Sequence, residues 1–109
     1  MLTIDKDTKA ISMVAKDTGD FVLSLDNYLL DDGDTVKFTV NTKVQLETPI
    51  FQKIITEFPA HKAIIHLSAA DTDLEPGNYL YDIQVNTADG RVDTVVGPAK
   101  FKIVGGITY

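Results

Sequence analysis

The sequence predicts an all-β domain, an antiparallel β-sandwich of seven to eight short strands. Three observations carry that expectation. Apolar and polar residues alternate with period two in several runs, as in strands with one buried face. Turn signals recur roughly every ten residues. The 109 residues, 44% of them apolar, suffice for one core and not for two ordinary ones. One domain over residues 1–109 is therefore expected, with residues 105–109 a tail or the start of a linker.

Taken in order, Ala10 to Ala15 reads as a short edge strand. Phe21 to Leu25 places Phe21, Leu23 and Leu25 on one face. Asp31-Asp32-Gly33-Asp34 is a turn into the next strand, where Val36, Phe38 and Val40 face one way and Lys37 and Thr39 the other. Ile50 to Phe58 and Lys62 to Ser68 read as two more strands, separated by Pro59-Ala60-His61. Thr48 to Glu57 also has helical apolar spacing and a Pro49 suited to a first turn, but its isoleucines favour strand. Ala69 to Leu74 can form a single helical turn before Pro76. Tyr79, Tyr81, Ile83 and Val85 then alternate with polar neighbours. Asn86-Thr87-Ala88-Asp89-Gly90 is a hairpin turn, and Arg91 to Val96 pairs back across it. Gly97-Pro98 reads as a bulge or kink in an edge strand, because proline cannot donate to a ladder. Phe101 and Ile103 close the pattern.

Composition narrows the function. Without cysteine there is neither a disulfide frame nor a thiolate metal site. Sixteen acidic against ten basic residues, a net charge of −6, repel phosphate backbones, so no nucleic-acid partner is expected. No apolar run is long enough to span a bilayer, and Met1 to Asp7 does not read as a signal peptide. The interleaving of aromatic and basic residues that a nucleic-acid stacking strand needs is missing from the Tyr79 run.

Leu74-Glu75-Pro76-Gly77-Asn78-Tyr79 is the most informative hexapeptide. It resembles the tyrosine corner of immunoglobulin-like sandwiches, in which a tyrosine hydroxyl bonds back to upstream backbone. That resemblance implies that the antiparallel β-sandwich is of immunoglobulin-like type. Leu74, Pro76, Gly77 and Tyr79 are the candidate corner residues. A chance Pro-Gly turn before an aromatic strand is the alternative. Tyr81 stands where antibody domains place a cysteine, and is expected to supply core volume.

Catalytic and metal readings are weaker. Asp17-Thr18-Gly19 resembles the motif of retroviral-type aspartic proteases, which pair one carboxylate from each subunit. Yet Lys16 precedes it, Asp20 follows it, and no glycine lies between Gly33 and Gly77 to form a flap. The plainer reading is a turn in which Gly19 takes positive φ and Asp17 and Thr18 bond the backbone. Asp26, Asp31, Asp32 and Asp34 invite calcium, but their spacing fits no EF-hand and a solvated turn accounts for them. Asp71 and Asp73 are a sparser pair. His61 falls in a loop and His66 on an outward strand face. No Gly-x-Ser-x-Gly or phosphate-binding glycine loop occurs. The expectation is a non-enzyme with no metal and no cofactor.

The order of features also resembles the immunoglobulin-like N-terminal domain of phage baseplate upper proteins, and related small domains of phage and prophage tail-associated proteins. The likeness runs from Ile11-Ser12-Met13-Val14-Ala15 through Asp34 to Val40, Pro49 to Ile55 and Ile64 to Leu67, and is best from Thr72 to Ile103. Lys16-Asp17-Thr18-Gly19-Asp20 is a variant of the Gly-Asp turn expected there. The resemblance implies a structural virion component of the tail or baseplate, assembled in the bacterial cytoplasm. It would dock onto other tail proteins, with oligomerisation supplied by downstream regions. Ile64 and Leu80 are the candidate contact residues. An immunoglobulin-like adhesion or carbohydrate-binding module is the alternative, and would be expected to expose aromatics, for which Tyr28 and Tyr109 are the candidates.

Overall fold

The computed structural model describes residues 2–4, 7–25, 28–42 and 50–105. Among these are eight strands: β1 (Thr3–Ile4), β2 (Ile11–Val14), β3 (Gly19–Leu23), β4 (Thr35–Asn41), β5 (Phe51–Ile55), β6 (Ala63–Leu67), β7 (Gly77–Asn86) and β8 (Val92–Val104). A 3-10 turn at Pro59–His61 is the only helical element among the described residues. The all-β class follows directly from period-two patterning. Asp26, Thr48, Pro49 and 106–109, where the tail or linker is expected, lie outside the described residues.

Six strands form one sheet in the order β1-β2-β8-β7-β4-β5, and β3 and β6 form a second. The inner residues of both sheets make one core. Val36, Phe38 and Val40 from β4 meet Ala63, Ile65 and Leu67 from β6, and all six are fully buried. Phe38 is the hub. Its ring centroid lies 5.6 Å from that of Phe21 on the opposite sheet, 5.2 Å from Tyr81 and 6.1 Å from Phe101. Each such aromatic pair adds about 0.5–1.5 kcal/mol beyond the area it buries.

Several expectations are corrected. The large sheet is mixed, not antiparallel, because β2 runs parallel to β8 with Ile11 opposite Phe101 and Met13 opposite Ile103. All four side chains are buried, so this register puts Ile11, Met13, Phe101 and Ile103 together on the core side, while Val14 and Val104 share the other face and are only partly buried. Parallel neighbours need a long connection, and the rest of the domain provides it. Nor is β2 the edge, since β1 pairs outside it through Ile4↔Ile11. The Val92 and Phe101 runs are one continuous strand. Gly97 and Pro98 form a bulge in it, where the β7 register slips between Tyr81↔Ala99 and Ile83↔Val96. Gly97 has φ of +105°, and a Cβ there would meet the Tyr81 carbonyl oxygen at 2.7 Å. Since β2 reaches only as far back as Phe101, this stretch of β8 is locally an edge among the described residues.

Phe51–Ile55 is a strand, as its isoleucines indicate, pairing with β4. Ala69 to Leu74 is a turn that never becomes a helix, although the Thr72 N–H reaches the Ser68 carbonyl at 3.3 Å. Gly19 does not take positive φ. It opens β3, and a Cβ would stand 2.8 Å from the Met13 Cε and 2.9 Å from the Leu2 Cβ. Glycine is required there for room. The left-handed residue of that turn is Lys16, at φ 69°.

Candidate functional site

The Tyr79 hydroxyl donates to the Glu75 carbonyl at 2.6 Å, across the Pro76-Gly77 turn that opens β7. Leu74 and Tyr79 pack against the core from its margin. The bond thus links Tyr79 to Glu75 across the turn that holds Leu74, Pro76 and Gly77, and it is solvent-exposed. Tyr81, the next inward residue, contributes more than core volume. Its ring lies among Phe38 and Phe101, and its hydroxyl donates to the Lys9 carbonyl, tethering the segment before β2. Burial pushes its pKa up to about 12.

The acidic turn holds a centre that sequence reading placed in solvent. Asp31 and Asp32 are exposed, but Asp34 is buried at 2% exposure. Its Oδ1 accepts the Tyr28 hydroxyl at 3.0 Å and the Ala88 N–H at 2.9 Å, and its Oδ2 accepts the Asp31 N–H at 3.0 Å. One carboxylate thus joins the β3–β4 turn to the β7–β8 hairpin turn. Burial pushes its pKa up, and the hydrogen bonds from Asp31, Ala88 and Tyr28 together outweigh it, so the pKa lies below the ordinary value. The same bond to Asp34 raises the pKa of Tyr28. Within the hairpin turn, Thr87 bonds the Arg91 N–H at 3.0 Å and donates to the Asp89 carboxylate, whose pKa is lowered chiefly by that bond. The signal for Asp34 was its position as the last turn residue before a strand, where an aspartate can accept from its own turn.

A second cluster secures the other turns. Thr72 is fully buried and its hydroxyl donates to the Asp17 carbonyl at 2.6 Å, joining the β6–β7 connection to the β2–β3 turn. Asp71 accepts the Ser68 N–H at 2.8 Å and pairs with the Lys53 ammonium of β5 at 2.7 Å. Burial opposes ionisation of Asp71, but Lys53 and Ser68 outweigh it and hold its pKa low. Asp73 is exposed beside it. Asp17, the protease-like residue, sits in the β2–β3 turn, its N–H donating to the Val14 carbonyl at 3.1 Å.

His66 lies on the outer face of β6, paired with Asp20 of β3, while the exposed His61 places its Nδ1 3.0 Å from the Leu30 carbonyl. Among the described residues, no three of His, Asp and Glu converge as a metal ion would require. Ile64 and Leu80 are not neighbours on one surface. Ile64 is exposed on the outer face of the two-stranded sheet, opposite Val22, whereas Leu80 is half-buried on the outer face of β7 in the large sheet.

A wide hollow of about 670 Å³ lies beside the turn from Leu74 to Tyr79, and a cleft of about 350 Å³ lies near the Asp34 end, lined by Leu25, Tyr28, Val85, Thr87, Arg91, Asp93 and Val95. It opens where the two sheets part, between the continuation of β3 and the free edge of β8. Comparison with protein-family models, with curated proteins and with solved structures found no match for this chain.

Proposed function

We propose that the chain is an immunoglobulin-like structural module of a phage or prophage tail or baseplate, non-catalytic and acting by protein–protein docking. The observation that carries the fold half of this reading is the strand order. The run β8-β7-β4-β5 over β3-β6 corresponds to strands G-F-C-C′ over B-E of an immunoglobulin variable-type sandwich. In that correspondence Tyr79 stands at the start of the F strand, with its hydroxyl bonded back to Glu75, where a tyrosine corner belongs.

The functional half rests on the family resemblance and on how the polar residues are used. Asp34, Asp71 and Thr72 each join one turn or strand to another, which suits a rigid mounting block. In this reading the module works in the virion and is assembled in the bacterial cytoplasm with other tail proteins.

The test is location in the particle. An antibody raised against the purified domain is applied to negatively stained particles from a strain that encodes it. Label at the distal tail supports the proposal. Label absent from particles, or confined to the cell envelope, overturns it.

A further inference from the structure

The two sheets are unequal. Among the described residues the large one has six strands and the small one has two, so both β3 and β6 have an edge that no described strand covers. The inner residues of the pair are not equally covered. On β6, Ala63, Ile65 and Leu67 are fully buried, whereas on β3, Phe21 and Leu23 are only partly buried. The core is therefore incompletely closed on the β3 side. Leu2 reaches Gly19 at one end of β3 and leaves Phe21, Leu23 and Leu25 beyond it.

Across the gap lies a second free edge. Among the described residues, no strand pairs with Val92 to Lys100 of β8 on the side away from β7. The apolar cleft lies between these edges, with Leu25 and Tyr28 on one side and Val95 and Asp93 on the other. Unpaired backbone groups flanking an apolar cleft select an extended chain, whose main chain completes the ladder while alternate side chains fill the cleft. Charge narrows the choice further. The turns beside the cleft carry the exposed Asp31, Asp32 and Asp89, and β8 adds the exposed Asp93, against Arg91, whose guanidinium is 3.2 Å from Asp93.

We infer that this side of the domain accepts an extended segment of a partner protein. The segment is apolar at alternate positions and carries Lys or Arg where it passes the acidic turns. It adds as a strand to the free edge of β3 or β8 and seats an apolar side chain in the cleft. This deepens the docking mode of the proposed function and rests on that reading only for the identity of the partner.

The experiment selects binders from a displayed library of short random segments, then maps selected peptides on the intact chain by NMR. Enriched sequences should alternate apolar residues and carry Lys or Arg, with amide shifts concentrated in Gly19 to Leu25 and Val92 to Val96. Val95→Lys should weaken them roughly tenfold. Ile64→Lys, the same charge change on the outer face of β6, should leave binding unchanged. No enrichment, sequences without alternation, shifts centred on the Val22 and Ile64 face, or equal loss in both variants would each overturn the inference. Tail labelling without peptide binding defeats this inference and leaves the assembly reading standing. Peptide binding without tail labelling does the reverse.

Discussion

Replacing Asp34 should cost this fold more than any other single change at a turn. Its carboxylate accepts three hydrogen bonds, from Tyr28, Asp31 and Ala88. Bonds to a charged group contribute about 1.5–3 kcal/mol each, but burying the carboxylate offsets part of that, and the freed donors lie near enough to the surface to regain water. A net of about 1 kcal/mol per bond gives Asp34→Ala a loss of about 3 kcal/mol. Asp34→Asn can keep an oxygen for Tyr28 and Ala88 but turns an NH2 towards the Asp31 N–H, so its loss should be about 2 kcal/mol. The assay is urea unfolding followed by circular dichroism, with the slope unchanged between variants. The pH dependence has a definite sign. The folded pKa lies below the unfolded value, so this stabilisation is present above about pH 4 and fades as the pH falls through the folded pKa. The gap between the wild type and Asp34→Asn should therefore narrow in acid. A loss under about 0.5 kcal/mol for Asp34→Ala, or a gap indifferent to pH, would refute the assignment of Asp34 as the link between the turns.

Other substitutions test the remaining contacts. Tyr79→Phe removes an exposed bond and should lower stability by less than about 1 kcal/mol, whereas Tyr81→Phe removes the part-buried bond from the core-facing hydroxyl to the Lys9 carbonyl and should cost about 1 kcal/mol. Alkaline titration of tyrosinate absorbance should find a late-ionising tyrosine that disappears in Tyr81→Phe. Gly97→Ala meets backbone at 2.7 Å and strains a positive φ, so thermal melting should show a loss of roughly 2 kcal/mol or more. A double-mutant cycle on Lys53 and Asp71 should give a coupling of at most about 1 kcal/mol that declines with added salt, because Lys53 is partly exposed.

Much of the strand content was legible because period two is a local signal. Val36, Phe38 and Val40 declare their shared face within five residues, and Tyr81, Ile83 and Val85 do likewise. The turn at Gly90 and the bulge at Gly97-Pro98 announce themselves through residue chemistry. Pairing between distant segments was not legible. Nothing in Ile11-Ser12-Met13-Val14 says that its neighbour is Phe101 to Val104, or that the two run parallel. The role of Gly19 was misread for the same reason, since the atoms that exclude a side chain there belong to Met13 and Leu2. Asp34 was grouped with its exposed neighbours because an acidic run looks uniformly solvated, and only the approach of Ala88 shows which carboxylate turns inward. Likewise, the unequal numbers of strands in the two sheets, which create the cleft, depend on which sheet each strand joins.

The parallel seam between β2 and β8 also governs the order in which the domain can form. Ile11 and Met13 complete their burial only against Phe101 and Ile103, so the first core strand must wait for the last. During synthesis the hairpin of β7 and β8 leaves the ribosome after the other described strands, and until it does Phe38 lacks both Tyr81 and Phe101. Closing so distant a pair requires loop-closure entropy to be met before the contacts form, which slows folding. The nascent domain therefore carries an exposed apolar β2 until β8 emerges, and a ribosome stalled before β8 would release a product that cannot bury Ile11 and Met13.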